Sequence, residues 1–110
     1  MKPLLVLSLT ALSIICLSNS AKAEQLRGQQ FYQSLCTSCH GPKGHGDGIV
    51  GKALPERPGN IYQGLNSWFE SEAELIDTVL NGNEGMPAWG SVLSEQEVKL
   101  IFTYIEQVNE

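Results

Sequence analysis

The sequence predicts an all-α domain in which three to four helices are joined by long loops, and three observations carry that expectation. Ser71-Glu72-Ala73-Glu74 and Ser94-Glu95-Gln96-Glu97 are both capping boxes, in which a serine and the glutamate three positions later satisfy each other's orphan backbone N–H groups at a helix start. Each box leads into apolar residues at helical spacing: Leu75, Ile76, Val79 and Leu80 after the first, Val98, Ile101, Ile105 and Val108 after the second. No alternating run of useful length occurs, so no segment reads as a half-buried strand.

A chain of 110 residues has room for one domain, and residues 1–23 read as something outside it. Met1-Lys2 gives a positive start, Leu4 to Leu17 is mostly apolar, and Ala21-Lys22-Ala23 is a small-x-small cleavage site, the pattern of a secretory signal peptide. Ser8, Thr10 and Ser13 interrupt the apolar stretch, which falls short of the roughly 20 apolar residues a membrane span needs. Cleavage is therefore expected in preference to a retained anchor, leaving residues 24–110 as the working domain. Cys16 lies in the discarded segment. A lipid-attachment cysteine would want small residues before it, and Ile14-Ile15 are large.

Residues 25–39 read as the first helix, with Leu26, Phe31, Tyr32 and Leu35 as its apolar stripe and Gly28 as a small position within it. A glycine in a helix interior costs about 1 kcal/mol against alanine, so a close backbone contact would account for it. The helix ends at Cys36-Thr37-Ser38-Cys39-His40. Cys-x-x-Cys-His is the spacing of a haem-attachment site: two thiols on one helical turn can face one edge of a porphyrin, and the next residue is carried to the iron. The competing readings are a disulfide, the default of an exported dithiol, and a zinc site, for which Cys36, Cys39, His40 and His45 are too crowded. A residue-24–110 domain is small enough to need a staple or an internal prosthetic group, and a covalent haem is both.

From Gly41 to Gly64 the chain reads as loop, and Gly41-Pro42-Lys43-Gly44-His45-Gly46-Asp47-Gly48 is too rich in glycine and proline for helix or central strand. It is not a phosphate cradle, since no strand precedes it and the P-loop pattern is missing. His45 is read as a solvent-exposed loop histidine in preference to an iron ligand, being so close to His40. Arg57 has two readings, one beside the haem propionates and one as an ordinary surface arginine. Trp68 likewise either reaches a propionate through its indole N–H or is buried in the core. Between the last two helices lies Gly85-Met86-Pro87-Ala88-Trp89-Gly90, and Met86 is the only methionine beyond Met1. A thioether in an irregular segment fixed by proline is a suitable soft ligand for iron opposite an imidazole. Trp89 is read as packing at the pocket rim.

Taken together, these residues resemble the class I c-type cytochromes, mono-haem and of the bacterial respiratory type. Gly28, Tyr32, Cys36, Cys39 and His40 match that family's N-terminal helix and attachment site, Met86-Pro87 its distal-ligand loop, and Ile101 with Tyr104 the apolar-aromatic pair of its C-terminal helix. The run from Cys39 to Gly48 is similar to periplasmic carriers and haem-bearing oxidase subunits; the lysine-rich surface of the mitochondrial type is missing. The resemblance implies a cytochrome c-like fold wrapped around one haem c, bound by Cys36 and Cys39 with His40 and Met86 as iron ligands, and first and last helices that cross at Gly28. It further implies a periplasmic one-electron carrier of a respiratory chain, not an enzyme. Its partners would be proteins: a dehydrogenase as donor, a terminal oxidase or another cytochrome as acceptor. The alternatives are a haem subunit fixed on a dehydrogenase or oxidase, and a haem enzyme or sensor with a labile methionine.

The formal net charge is −5, which argues against nucleic acid as a partner. It is unevenly divided. In residues 24–60 Arg27, Lys43, Lys52 and Arg57 outnumber Glu24, Asp47 and Glu56, whereas in residues 61–110 Lys99 is the only basic residue among many acids. The expectation is that the haem edge docks near the neutral-to-basic loops while the acidic half orients the molecule toward a basic patch.

Overall fold

Two helices cross where one of them has no side chain. The computed structural model describes the backbone of residues 2–110 and the side chains of residues 17–110; Met1 and the side chains of residues 2–16, Cys16 among them, lie outside the described residues. The first helix, α1 (Lys2–Leu35), crosses the last, α6 (Glu95–Val108), at Gly28, where a Cβ would run into the Leu100 carbonyl oxygen. The close contact expected from the sequence is therefore this crossing. One turn further on, Tyr32 is fully enclosed and its ring lies 5.6 Å from that of Tyr104 on α6.

The fold is all-helical. Between α1 and α6 the chain makes three single turns, α2 (Thr37–His40), α3 (Ile49–Lys52) and α4 (Ile61–Leu65), and one longer helix, α5 (Glu72–Asn81). Both capping boxes form as expected: Ser71 and Ser94 each accept from the backbone N–H of Glu74 and Glu97, and each glutamate reaches back to the serine N–H. Those hydrogen bonds hold both carboxyls below the usual glutamate range. The apolar faces they open onto close the core, with Ile76 and Val79 from α5 against Val98, Ile101, Phe102 and Ile105 from α6. Among the described residues no helix is long and apolar enough to cross a membrane.

Two details of α1 differ from expectation. Leu26 belongs to the apolar stripe by spacing but is 53% exposed. Every residue from Leu17 to Arg27 is exposed, and burial begins at Gly28, because α6 reaches no further along α1 than the crossing. The helix also stops short of the whole attachment motif, for a reason given below.

Alanine at position 28 would gain about 1 kcal/mol of helix propensity. Against this, its methyl would meet backbone on both sides, and overpacking costs roughly 1–3 kcal/mol, at the upper end where no side chain can yield. Gly28→Ala is expected to lower unfolding free energy by about 2 kcal/mol, read from the midpoint of denaturant unfolding with an unchanged slope.

Candidate haem site

α1 ends where the Tyr32 carbonyl takes two donors. It accepts from the Cys36 N–H at 2.9 Å and from the Thr37 hydroxyl at 3.2 Å, and a side chain competing for a backbone carbonyl in this way disfavours a continuing helix. Cys36 adopts φ −120°, ψ −35°. The expected helix over 25–39 is accordingly broken at Cys36, and the rest of the motif forms a separate turn closed by His40 N–H to the Cys36 carbonyl (2.9 Å) and Gly41 N–H to the Thr37 carbonyl (2.8 Å). Cys36, Cys39 and His40 share this one turn.

Cys36 is buried and Cys39 half-buried, and neither is in a disulfide. Burial, with a smaller contribution from Cys39, pushes the Cys36 thiol up to about 12, so it is neutral in water near pH 7. His40 is only 8% exposed. Its Nδ1 lies 3.0 Å from the Gly59 carbonyl oxygen, the distance of a donated hydrogen bond. Burial lowers the imidazole's pKa, against the opposing pull of that bond. A neutral ring that donates through Nδ1 keeps its lone pair on Nε2, the form in which histidine binds a metal.

Gly59 is presented by a neighbouring loop contact. Gly46 has φ +81°, and a Cβ there would lie 2.6 Å from the Pro58 carbonyl oxygen, so the glycine-rich loop lies directly on the 58–59 strap. The loop is fastened to the two-helix frame at both ends. The Tyr32 hydroxyl donates to the Gly41 carbonyl. At the far end of α6, Asn109 donates to the Lys43 carbonyl at 2.8 Å and accepts from His45 Nε2 at 2.6 Å. His45 is exposed as expected, but it is a latch on the last helix and lies 5.9 Å from the Tyr62 ring.

Met86 stands on the segment between α5 and α6. Its side chain is half-buried against the apolar cluster that includes Cys36 and Ile76. The segment is tied to α5 by Trp89 N–H to the Val79 carbonyl and Gly90 N–H to the Leu80 carbonyl, both 2.9 Å. Trp89 is half-buried against the same cluster, in keeping with a rim position. Arg57 is exposed. Trp68 is 94% exposed, edge-on to Phe69 at 5.6 Å, so its core reading is wrong: it precedes the α5 capping box on a loop that no helix covers.

The donor set fits a covalently held haem: two unpaired thiols on one turn, a neutral buried imidazole with its outer nitrogen already bonded, and a thioether on the same apolar cluster. The family described as cytochrome c oxidase, cbb3-type, subunit III matches residues 23–105. The chain belongs to it, and is a class I c-type cytochrome. Among its relatives, the cbb3-type oxidase subunit FixP of Azorhizobium caulinodans is 30% identical over 72% of this cytochrome and 25% of that protein. The corresponding subunit CcoP of Azospirillum brasilense is 32% identical over 83% and 30%. A cytochrome c6 of Tetradesmus obliquus is 30% identical over 76% of this cytochrome and 89% of its own length. The chain thus spans under a third of the oxidase subunits it matches. Its cofactor is a covalently bound haem c.

The sequence offered no signal for Gly59 as the imidazole's partner or for the Tyr32 hydroxyl as a clamp on Gly41. Tyr32→Phe leaves the ring beside Tyr104 but leaves the enclosed Gly41 carbonyl only a long, 3.5 Å bond from the Gly44 N–H. An under-satisfied buried acceptor costs about 1–3 kcal/mol, so this single-oxygen change is expected to destabilise the holoprotein by that amount in denaturant unfolding.

Proposed function

We propose that this cytochrome is a periplasmic one-electron carrier between protein partners of a respiratory chain, with Cys36 and Cys39 bonded to the haem and His40 and Met86 as its two axial ligands. A haem c held this way supplies one reversible electron through its iron, and a methionine ligand favours the ferrous state. The observation that carries the reading is a carbonyl-anchored His40 on the same turn as Cys36 and Cys39, with Met86 half-buried against the apolar cluster that contains Cys36. The residues' work is to hold and to exclude: Gly59 fixes the imidazole's rotation, and the α5–α6 core shields one side of the thioether.

Residues 1–23 are proposed to be removed as a signal peptide, leaving 24–110 without stable membrane insertion; the burial that starts at Gly28 supports a domain beginning near there. A second reading, a haem subunit fixed on an oxidase, is favoured by the likeness to FixP and CcoP. The free-carrier reading is supported by the likeness to cytochrome c6, of which the matched stretch covers 89%.

Absorption spectra of the exported protein test the ligand set. The expected result is c-type bands, a weak sulfur-to-iron charge-transfer band when oxidised, and no response of the reduced protein to carbon monoxide; a carbon monoxide shift would instead indicate an open sixth position and an enzyme or sensor.

Docking is proposed to use the acidic half, where Glu70, Glu72, Glu74, Asp77 and Glu84 are all exposed. Electron exchange with a lysine-rich redox protein is expected to slow several-fold as the Debye length shrinks from ~30 Å at 0.01 M to ~8 Å at 0.15 M ionic strength. A flat response in stopped-flow would remove electrostatic steering.

A further inference from the structure

The tip of the Met86 segment is built around a side chain that the sequence analysis did not single out. α5 ends at Gly82, whose N–H caps the Thr78 carbonyl at 2.8 Å, and Asn83 follows. The Asn83 Oδ1 accepts from the backbone N–H of Gly85 at 3.2 Å and of Met86 at 3.1 Å. Its own N–H donates to the Met86 carbonyl at 3.1 Å, and the Met86 N–H also lies 3.3 Å from the Asn83 carbonyl. Both backbone polar groups of Met86 therefore end on Asn83.

The rest of the segment is held otherwise. Its far end hangs on α5 through Trp89 and Gly90, and Pro87 fixes its own φ and offers no donor. What lies between, Asn83 to Met86, is closed by the asparagine alone among the side chains that bond to it. Methionine has three rotatable bonds and adapts readily, so the sulfur's reach is set by where the backbone presents Cα.

We propose that Asn83 is a positioning residue for the distal ligand: by tying the Met86 backbone into a closed turn, it keeps the thioether on the iron and the sixth position shut to small molecules. The inference rests on the reading of Met86 as that ligand. Removing Oδ1 frees the Gly85 N–H and leaves the Met86 N–H only its longer, 3.3 Å bond to the Asn83 carbonyl, which lets the turn loosen. An external ligand competes only while the thioether is off, so its apparent affinity rises in proportion to that fraction. Asn83 is exposed, so its substitution leaves the core untouched.

The test is an imidazole titration of the ferric holoprotein, following the sulfur-to-iron charge-transfer band in wild type, Asn83→Ala, Asn83→Asp and Met86→Ala. Asn83→Ala is expected to keep its haem bands and helical circular dichroism but to bind imidazole about tenfold more tightly, equivalent to 1.4 kcal/mol. Asn83→Asp, which retains an acceptor oxygen, is expected to stay within about twofold of wild type. Equal affinity in wild type and Asn83→Ala would overturn the proposal, as would an Asn83→Asp protein as loose as the alanine variant. A wild-type protein whose band is missing, or is kept in Met86→Ala, would instead overturn the ligand reading beneath it.

Discussion

The approach of α1 to α6 at Gly28 is the constraint on which the other parts depend. A side chain there would hold the helices apart, and Tyr32, one turn along, would lose its place against Tyr104. Tyr32 in turn holds Gly41, the first residue after His40, and Asn109, at the other end of α6, holds the same loop two and four residues later, at Lys43 and His45. A glycine-rich loop has the largest conformational entropy to lose on folding. It is ordered here because both of its anchors come from one rigid pair of helices.

Charge contributes little to that frame. The ion pairs found among the described residues, Arg27 with Glu97 and Lys99 with Glu95, are on the surface, where such pairs are worth about 0–1 kcal/mol. The polar groups that are buried, His40 and the Tyr32 hydroxyl, are neutral and bonded to backbone carbonyls. Burial raises the pKa of Tyr32 and Cys36 and lowers that of His40, so all three stay uncharged. An interior without charge disfavours the extra positive charge of ferric iron, which acts in the same direction as a thioether ligand.

Local features were legible in the sequence and tertiary ones were not. The capping boxes could be read because both partners lie within four residues, and the attachment motif because its chemistry demands a fixed spacing. Gly28 could be read as a close contact, since a helix rarely keeps a glycine without one, and the resemblance to the cytochromes supplied its partner helix. The break at Cys36 was missed because a threonine inside a helix usually remains within it; only its hydroxyl's competition for the Tyr32 carbonyl makes the difference. Gly59, joined to His40 across 19 positions, and Asn109, joined to His45 across 64, sit in contacts between loop and backbone that leave no periodicity. Trp68 was misjudged as a core candidate because aromatic character reports the capacity for burial, not whether a neighbouring element arrives to cover it.

The two sides of the site are restrained by different kinds of contact, and this sets which side gives way first. On the His40 side the local turn is backed by contacts from α1, α6 and the 58–59 strap, so the imidazole is held from several parts of the fold at once. On the Met86 side the segment is tied to α5 at its base and to itself through Asn83 at its tip, and the side-chain bonds of the tip are exposed and lie within one short stretch. Segments with few buried contacts and exposed backbone bonds open locally, at free energies well below that of global unfolding. The distal loop can therefore open while the helix crossing and the attachment turn stay formed. With Met86 as the proposed ligand, a carrier built this way would keep its cofactor under mild stress and lose the closure of its sixth position first, which would place the boundary between electron carrier and ligand-binding haem protein in the stability of one turn.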